Sequence, residues 1–212
     1  MPVVQAPVTI PPMQLQGDLR LPKAARGIVI FAHGSGSSRF SPRNQAVAAA
    51  LVEAGLATLL LDLLTEDEAA HRANVFDIDL LARRVSDAVA WAQSHADLKT
   101  LPIGLFGAST GAAAALKAAA ARPDQVAAVV SRGGRPDLAG ADLERVRAPT
   151  LLIVGGDDEP VLSWNRQAGR RIGVCRLAVV PGATHLFEEP GALEAVTALA
   201  KDWFVEHLRS ST

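Results

Sequence analysis

The chain has 212 residues, 49% hydrophobic and 20% charged, with 21 basic against 22 acidic side chains. That length is slightly above the usual one-domain range and buries a sizeable core without staples. The near-zero charge argues against an electrostatic nucleic-acid or anionic-membrane binder. The single cysteine, Cys175, excludes an internal disulfide or a multi-cysteine metal site, and the absence of tyrosine excludes any mechanism that needs a phenol. No apolar run reaches the ~18 residues of a membrane span. The first positive charge is Arg20, so no basic leader of a secretory signal is read. The expectation is a cytoplasmic protein folded as one domain, residues 1–212.

Short β-rich runs alternate with longer helical patterns. Residues 3–10 and 13–21 read as two edge-type strands separated by Pro11-Pro12, which cannot join a central ladder. Residues 27–32 form a compact, fully buried kind of run ending in His33-Gly34-Ser35-Gly36, and Pro42 opens a helix to about Glu53. Residues 57–61 are the next buried run. After a charged stretch over 65–74, apolar residues at 78, 81, 85, 88 and 89 recur at helical spacing to about Ala92. Strands are then expected at 103–106, 126–130, 150–154 and 176–180, with helices at 110–121, 138–145, 162–171 and 192–208. Such alternation predicts an α/β fold: about eight mostly parallel strands, with helices on both faces. Ligands then sit at the carboxyl ends of the strands, so the loops starting at His33, Asp62, Gly107, Ser131, Gly155 and Gly182 share one rim.

On that rim, Gly107-Ala108-Ser109-Thr110-Gly111 fits G-x-S-x-G between a buried strand and an alanine-rich helix, the setting of a nucleophile elbow. A serine needs a base and an orienting acid, expected in the chain order Ser, acid, His at successive strand ends. Asp157-Asp158 and His185 arrive in that order. The alternative is a glycine-rich turn with an incidental serine and ordinary surface-loop polar residues.

The segments HGSGS, GASTG, GGDDEPV and GATHLF resemble those of the α/β-hydrolase superfamily, in its dienelactone-hydrolase-like branch of small enzymes without a cap domain. The resemblance runs from about Gly27 to Leu208. In that family the acid follows a G-x-x-D-x-x-V pattern, which Gly155, Asp158 and Val161 match, so the resemblance implies Asp158 rather than Asp157. Dienelactone hydrolases proper carry cysteine at the nucleophile position, whereas this chain has Ser109. The oxyanion hole is expected from the amides of Thr110 and Ser35.

The implied activity is hydrolysis of a carboxylic ester, or a related lactone, thioester or amide, on a small-molecule acyl substrate, with no metal or cofactor. The competing reading is a hydrolase-fold binding or regulatory protein. His33 is expected to shape its loop. His71 reads as a solvated loop residue that could also line the cleft, and Arg132 and Arg135 as salt-bridging residues or as contacts for a substrate carboxylate. Cys175 is expected to be a buried small hydrophobe, and Glu188-Glu189 to serve the start of the last helix.

Overall fold

The computed structural model describes residues 3–209. Eight strands form one sheet in the order β1-β2-β4-β3-β5-β6-β7-β8. In chain order they are β1 (Val3–Ile10), β2 (Leu15–Pro22), β3 (Ile28–Ala32), β4 (Ala57–Leu61), β5 (Ile103–Ala108), β6 (Val126–Arg132), β7 (Thr150–Gly155) and β8 (Cys175–Val180). From β4 to β8 every neighbouring pair is parallel. β3, β4, β5 and β7 are buried along their whole length, as strands covered on both faces must be. All six strands therefore deliver their following loops to one rim.

The helices are α1 (Pro42–Glu53), α2 (Glu66–Ala69), α3 (Arg72–Val75), α4 (Ile78–Ser94), α5 (Thr110–Ala121), α6 (Val161–Gly169) and α7 (Ala192–His207), with a 3-10 segment over Pro136–Arg145. On one face, Leu81, Val85, Ala88 and Val89 of α4 pack with the α5 alanines against Ile28, Ile30, Leu59 and Leu105 of the sheet. On the other, Val47 and Leu51 of α1 and Val196 and Phe204 of α7 cover Phe31, Phe106 and Val130. No cap domain is inserted among the described residues. None of their helices is long and apolar enough to cross a membrane.

Three expectations change. β2 is not an edge strand: it pairs with β1 on one side and with β4 on the other, both antiparallel. Pro11-Pro12 falls in the turn, with Met13 and Gln14, so it does not obstruct the ladder, and Leu15, Gly17 and Leu19 alternate into the interior. The helix expected at 138–145 is a 3-10 segment starting at Pro136 and broken at Gly140, whose φ is +58°. The charged stretch over 65–74 is not structureless but holds α2 and α3. Thr65 and Glu68 close a reciprocal capping box at the start of α2.

Candidate active site

The turn from β5 into α5 holds Ser109 at φ +51° and ψ −121°. Positive φ on a residue with a Cβ costs on the order of 1–3 kcal/mol and persists only where its surroundings enforce it. Here they do. A Cβ on Gly107 would lie 2.7 Å from both Ala112 N and Gly111 O, and one on Gly111 would lie 2.7 Å from the Ala32 carbonyl carbon. The two glycines are therefore a steric requirement of the sharp turn. Ala112 to Ala115 are fully buried, which lets α5 lie close beneath it. Thr110, as the first residue of α5, has an amide without an intrahelical partner.

The acid loop and the histidine loop meet beside this turn. His185 Nδ1–H donates to Asp158 Oδ2 at 2.8 Å, with the Asp158 side chain 9% exposed and that of His185 38%. This bond leaves Nε2 as the free ring nitrogen. Asp157, by contrast, faces solvent. The β6 loop ties the halves together. Ser109 N–H donates to Arg132 O and Arg135 N–H donates to Ser109 O. A Cβ on Gly133, between those two arginines, would stand 3.5 Å from His185 Nδ1. Asn165, fully buried, donates to the Gly134 carbonyl at 2.9 Å and braces the same loop. Among the described residues, the Ser109 hydroxyl has no hydrogen-bond partner.

The Ser35 amide, expected as an oxyanion donor, is engaged by the Thr110 side chain. Ser35 N–H donates to Thr110 Oγ1 at 2.9 Å, and a Cβ on Gly34 would be 3.0 Å from Ser109 Cβ. His33 holds this loop from below. Its Nδ1–H donates to Gly34 O at 2.9 Å, and its Nε2 accepts from Leu63 N–H at 3.1 Å. Burial pushes its pKa down, against the pull of the Gly34 carbonyl and Asp62, so it sits neutral as a link between the β3 and β4 loops.

The remaining rim residues are placed as follows. His71 is exposed, with Nδ1 on Asp67 O. Arg135 is bidentate on Asp137 at 2.9 and 2.7 Å and stacks 3.9 Å over Trp164. Arg132 is 7% exposed and has no carboxylate partner among the described residues; its Nη2 reaches Asn44 Oδ1 at 3.4 Å. Burial, and then the nearby Arg43, lower its pKa to about 10. Cys175 starts β8 and is half-buried, with burial raising its thiol to about 11. Glu188 and Glu189 do not cap α7. Glu189 accepts from Thr184 N–H and Oγ1–H, bracing the histidine loop, while Glu188 pairs with Arg43. Among the described residues, no three His, Cys, Asp or Glu side chains cluster as a metal site.

Sequence reasoning missed one feature of the site. A cavity of about 260 Å³ opens beside the Ser35 loop, walled by the β3 and β4 loops and by α2 and α3. The capping-box spacing of Thr65 and Glu68 was the available signal that this charged stretch is ordered.

Residues 23–134 match the family described as serine aminopeptidase, S33. The crystal structure of a dienelactone hydrolase from Anabaena variabilis superposes with a TM-score of 0.93 at 54% identity, covering 98% of this chain and 99% of that one. Est1E from Butyrivibrio proteoclasticus has the same fold, with a TM-score of 0.80 at 20% identity over 96% of this chain and 98% of its own. The chain therefore belongs to the S33-type α/β-hydrolases and is dienelactone-hydrolase-like. Two Mycobacterium tuberculosis proteins, named provisionally as phosphoribosyl transferases, are 61% identical over 198 residues. That span is 93% of this chain but 45% of theirs, so the chain spans about half the length of the curated relatives it matches.

Proposed function

We propose that the chain is a serine hydrolase that cleaves a carboxylic ester through an acyl-enzyme. The observation that carries this reading is the 2.8 Å bond from His185 Nδ1 to Asp158 Oδ2, on the same rim as the strained Ser109. Ser109 Oγ attacks the ester carbonyl and gives its proton to His185 Nε2. Asp158 holds the imidazolium that results. The amides of Thr110 and Ser35 hold the oxyanion, the Ser35 amide being shared with the Thr110 hydroxyl that it now meets. Each such donor contributes about 3 kcal/mol to the transition state. The tetrahedral intermediate collapses, and the leaving alkoxide takes the proton from His185. Water, activated by the same histidine, then attacks the acyl-enzyme and restores Ser109. The Ser109–His185 bond closes with substrate, since such bonds are often longer in the free enzyme.

Phosphoribosyl transfer is not carried over from the longer M. tuberculosis relatives, because the shared span is under half of their length. The whole chain, 1–212, works as one domain in this reading, on a small molecule in solution.

The test is labelling with a fluorophosphonate, followed by hydrolysis of nitrophenyl esters. A label on Ser109, with turnover that Ser109→Ala abolishes, supports the proposal. A folded protein that neither labels nor turns over ester, lactone or thioester overturns it in favour of a binding or regulatory role.

A further inference from the structure

From the cavity beside the Ser35 loop we infer that the substrate is the ester of a short, uncharged aliphatic acid, whose chain lies under α2 and α3 with Ala69 and Val75 setting its length. The inference rests on the ester-hydrolase reading above and adds the class of acyl group.

Three observations carry it. The first is location. Ser35 and Gly34 line the cavity, and Gly34 is the residue packed against Ser109 Cβ. The cavity therefore borders the serine turn through Gly34.

The second is direction, read from the sheet order. The cavity lies between the loops of β3 and β4, on one side of β5 and its serine. His185 arrives after β8, on the other side, beyond β6 and β7. The leaving alcohol departs toward the histidine that protonates it, so the acyl group is the part that points into the cavity.

The third is chemistry. Leu63, Leu64, Ala69, Val75 and Leu81 supply an apolar wall, and serines 35, 37 and 38 a neutral polar one. The ionised groups on the lining are acidic, Asp62 and Glu66, and Asp62 is already paired with Arg39. His33 also lines it and presents a neutral ring, both nitrogens being engaged by backbone. Among the described residues, no cation lines the cavity to receive a second carboxylate, and bringing one into it unpaired is costly. At about 260 Å³, against the roughly 150 Å³ of a cavity that holds a six-carbon benzene ring, the space suits a short or medium chain on the order of eight carbons.

The test is a series of nitrophenyl esters from acetate to laurate, plus one six-carbon ester ending in a free carboxylate, on the full chain and on Ala69→Trp and Val75→Trp. Melting temperatures identify whichever variant remains folded. Expected for the unsubstituted chain is a kcat/KM that peaks between about four and eight carbons. The acid-ended ester should be at least tenfold slower than hexanoate. In a folded tryptophan variant the octanoate-to-acetate ratio should fall at least tenfold. A ratio unmoved in both variants, or an acid-ended ester as fast as hexanoate, overturns the inference while leaving the hydrolase reading intact. If no ester is turned over, the hydrolase reading is what has failed, and binding of the same esters to Ser109→Ala still reads the cavity. A Kd that tightens with chain length and loosens with Val75→Trp added supports it, and a Kd indifferent to both overturns it.

Discussion

Asp157 donates its backbone N–H to the carbonyl of Ala183 at 3.0 Å. The acid loop is thereby stitched to the histidine loop two residues before His185. Its neighbour Gly155 lies so close that an added Cβ would be 2.8 Å from Thr184 O. The two adjacent aspartates divide the work, the first through its main chain and the second through its carboxylate. Asp158→Asn is expected to keep the fold and lower kcat by up to about 10⁴-fold, the scale of the same change in a serine-protease triad. Asp157→Asn leaves the stitching amide in place and should alter kcat less than about twofold, with stability within about 0.5 kcal/mol. Steady-state kinetics and melting of both variants decide it; a dead Asp157→Asn with an active Asp158→Asn would reverse the assignment.

Tight approach and empty space predict opposite outcomes for two glycines. Gly111→Ala drives a methyl into the backbone at Ala32 and should destabilise by about 3 kcal/mol or prevent folding. Gly36 also needs attention to its backbone, with φ +70°, but nothing lies within 4 Å of a Cβ there. Gly36→Ala should cost only about 1–2 kcal/mol. Urea unfolding of the pair measures this, and equal midpoints would contradict the steric account of the elbow.

His33 makes stability depend on pH. Its folded pKa lies below the ordinary histidine value because burial disfavours the cation. Between the folded and unfolded values the unfolded chain binds the extra proton, so stability rises with pH there. The contribution is complete above about pH 6.5 and is lost progressively below it. Melting temperatures of the wild type should fall between pH 7.5 and 5.5, and His33→Gln should flatten that part of the curve. An identical slope in the variant would assign the pH dependence to other groups.

Two buried arginines should respond with opposite signs to the same substitution. Arg84 is paired with Glu68 at 2.6 Å, so Arg84→Met strands a carboxylate and should destabilise by about 1–2 kcal/mol. Arg132 has no carboxylate to strand, and burying a cation unpaired is unfavourable. Arg132→Met should raise stability by about 1 kcal/mol. Calorimetry of both variants tests it, and a large loss in Arg132→Met would reveal a compensating contact for that guanidinium.

What could be read from the sequence follows how local each determinant is. The elbow is written in five consecutive residues, because the steric demand on Gly107 and Gly111 comes from the turn itself. Asp158 and His185 each end a strand, so alternation of strands and helices places both on the serine's rim. Arg132 was less legible. Its burial depends on Asn44, 88 positions away, and nothing near it in the chain distinguishes a covered guanidinium from a salt-bridged one. β2 fails in the same way, since its alternation is visible but its pairing with β4 is not. Glu189 reads as a helix-start acid and turns back to Thr184 instead, a choice made by the loop's geometry.

Helix α5 carries little beyond methyl groups against the sheet, and ten of its residues are buried. Its tolerance for change is correspondingly narrow, since almost any larger side chain would lift the serine. The segment of α2 and α3 has no fully buried residue and walls the cavity beside the Ser35 loop. Heritable variation can therefore accumulate in that segment while the reacting atoms stay in register. In a randomised library selected for turnover of new esters, productive changes should gather at positions 64–75 and leave 107–115 almost untouched.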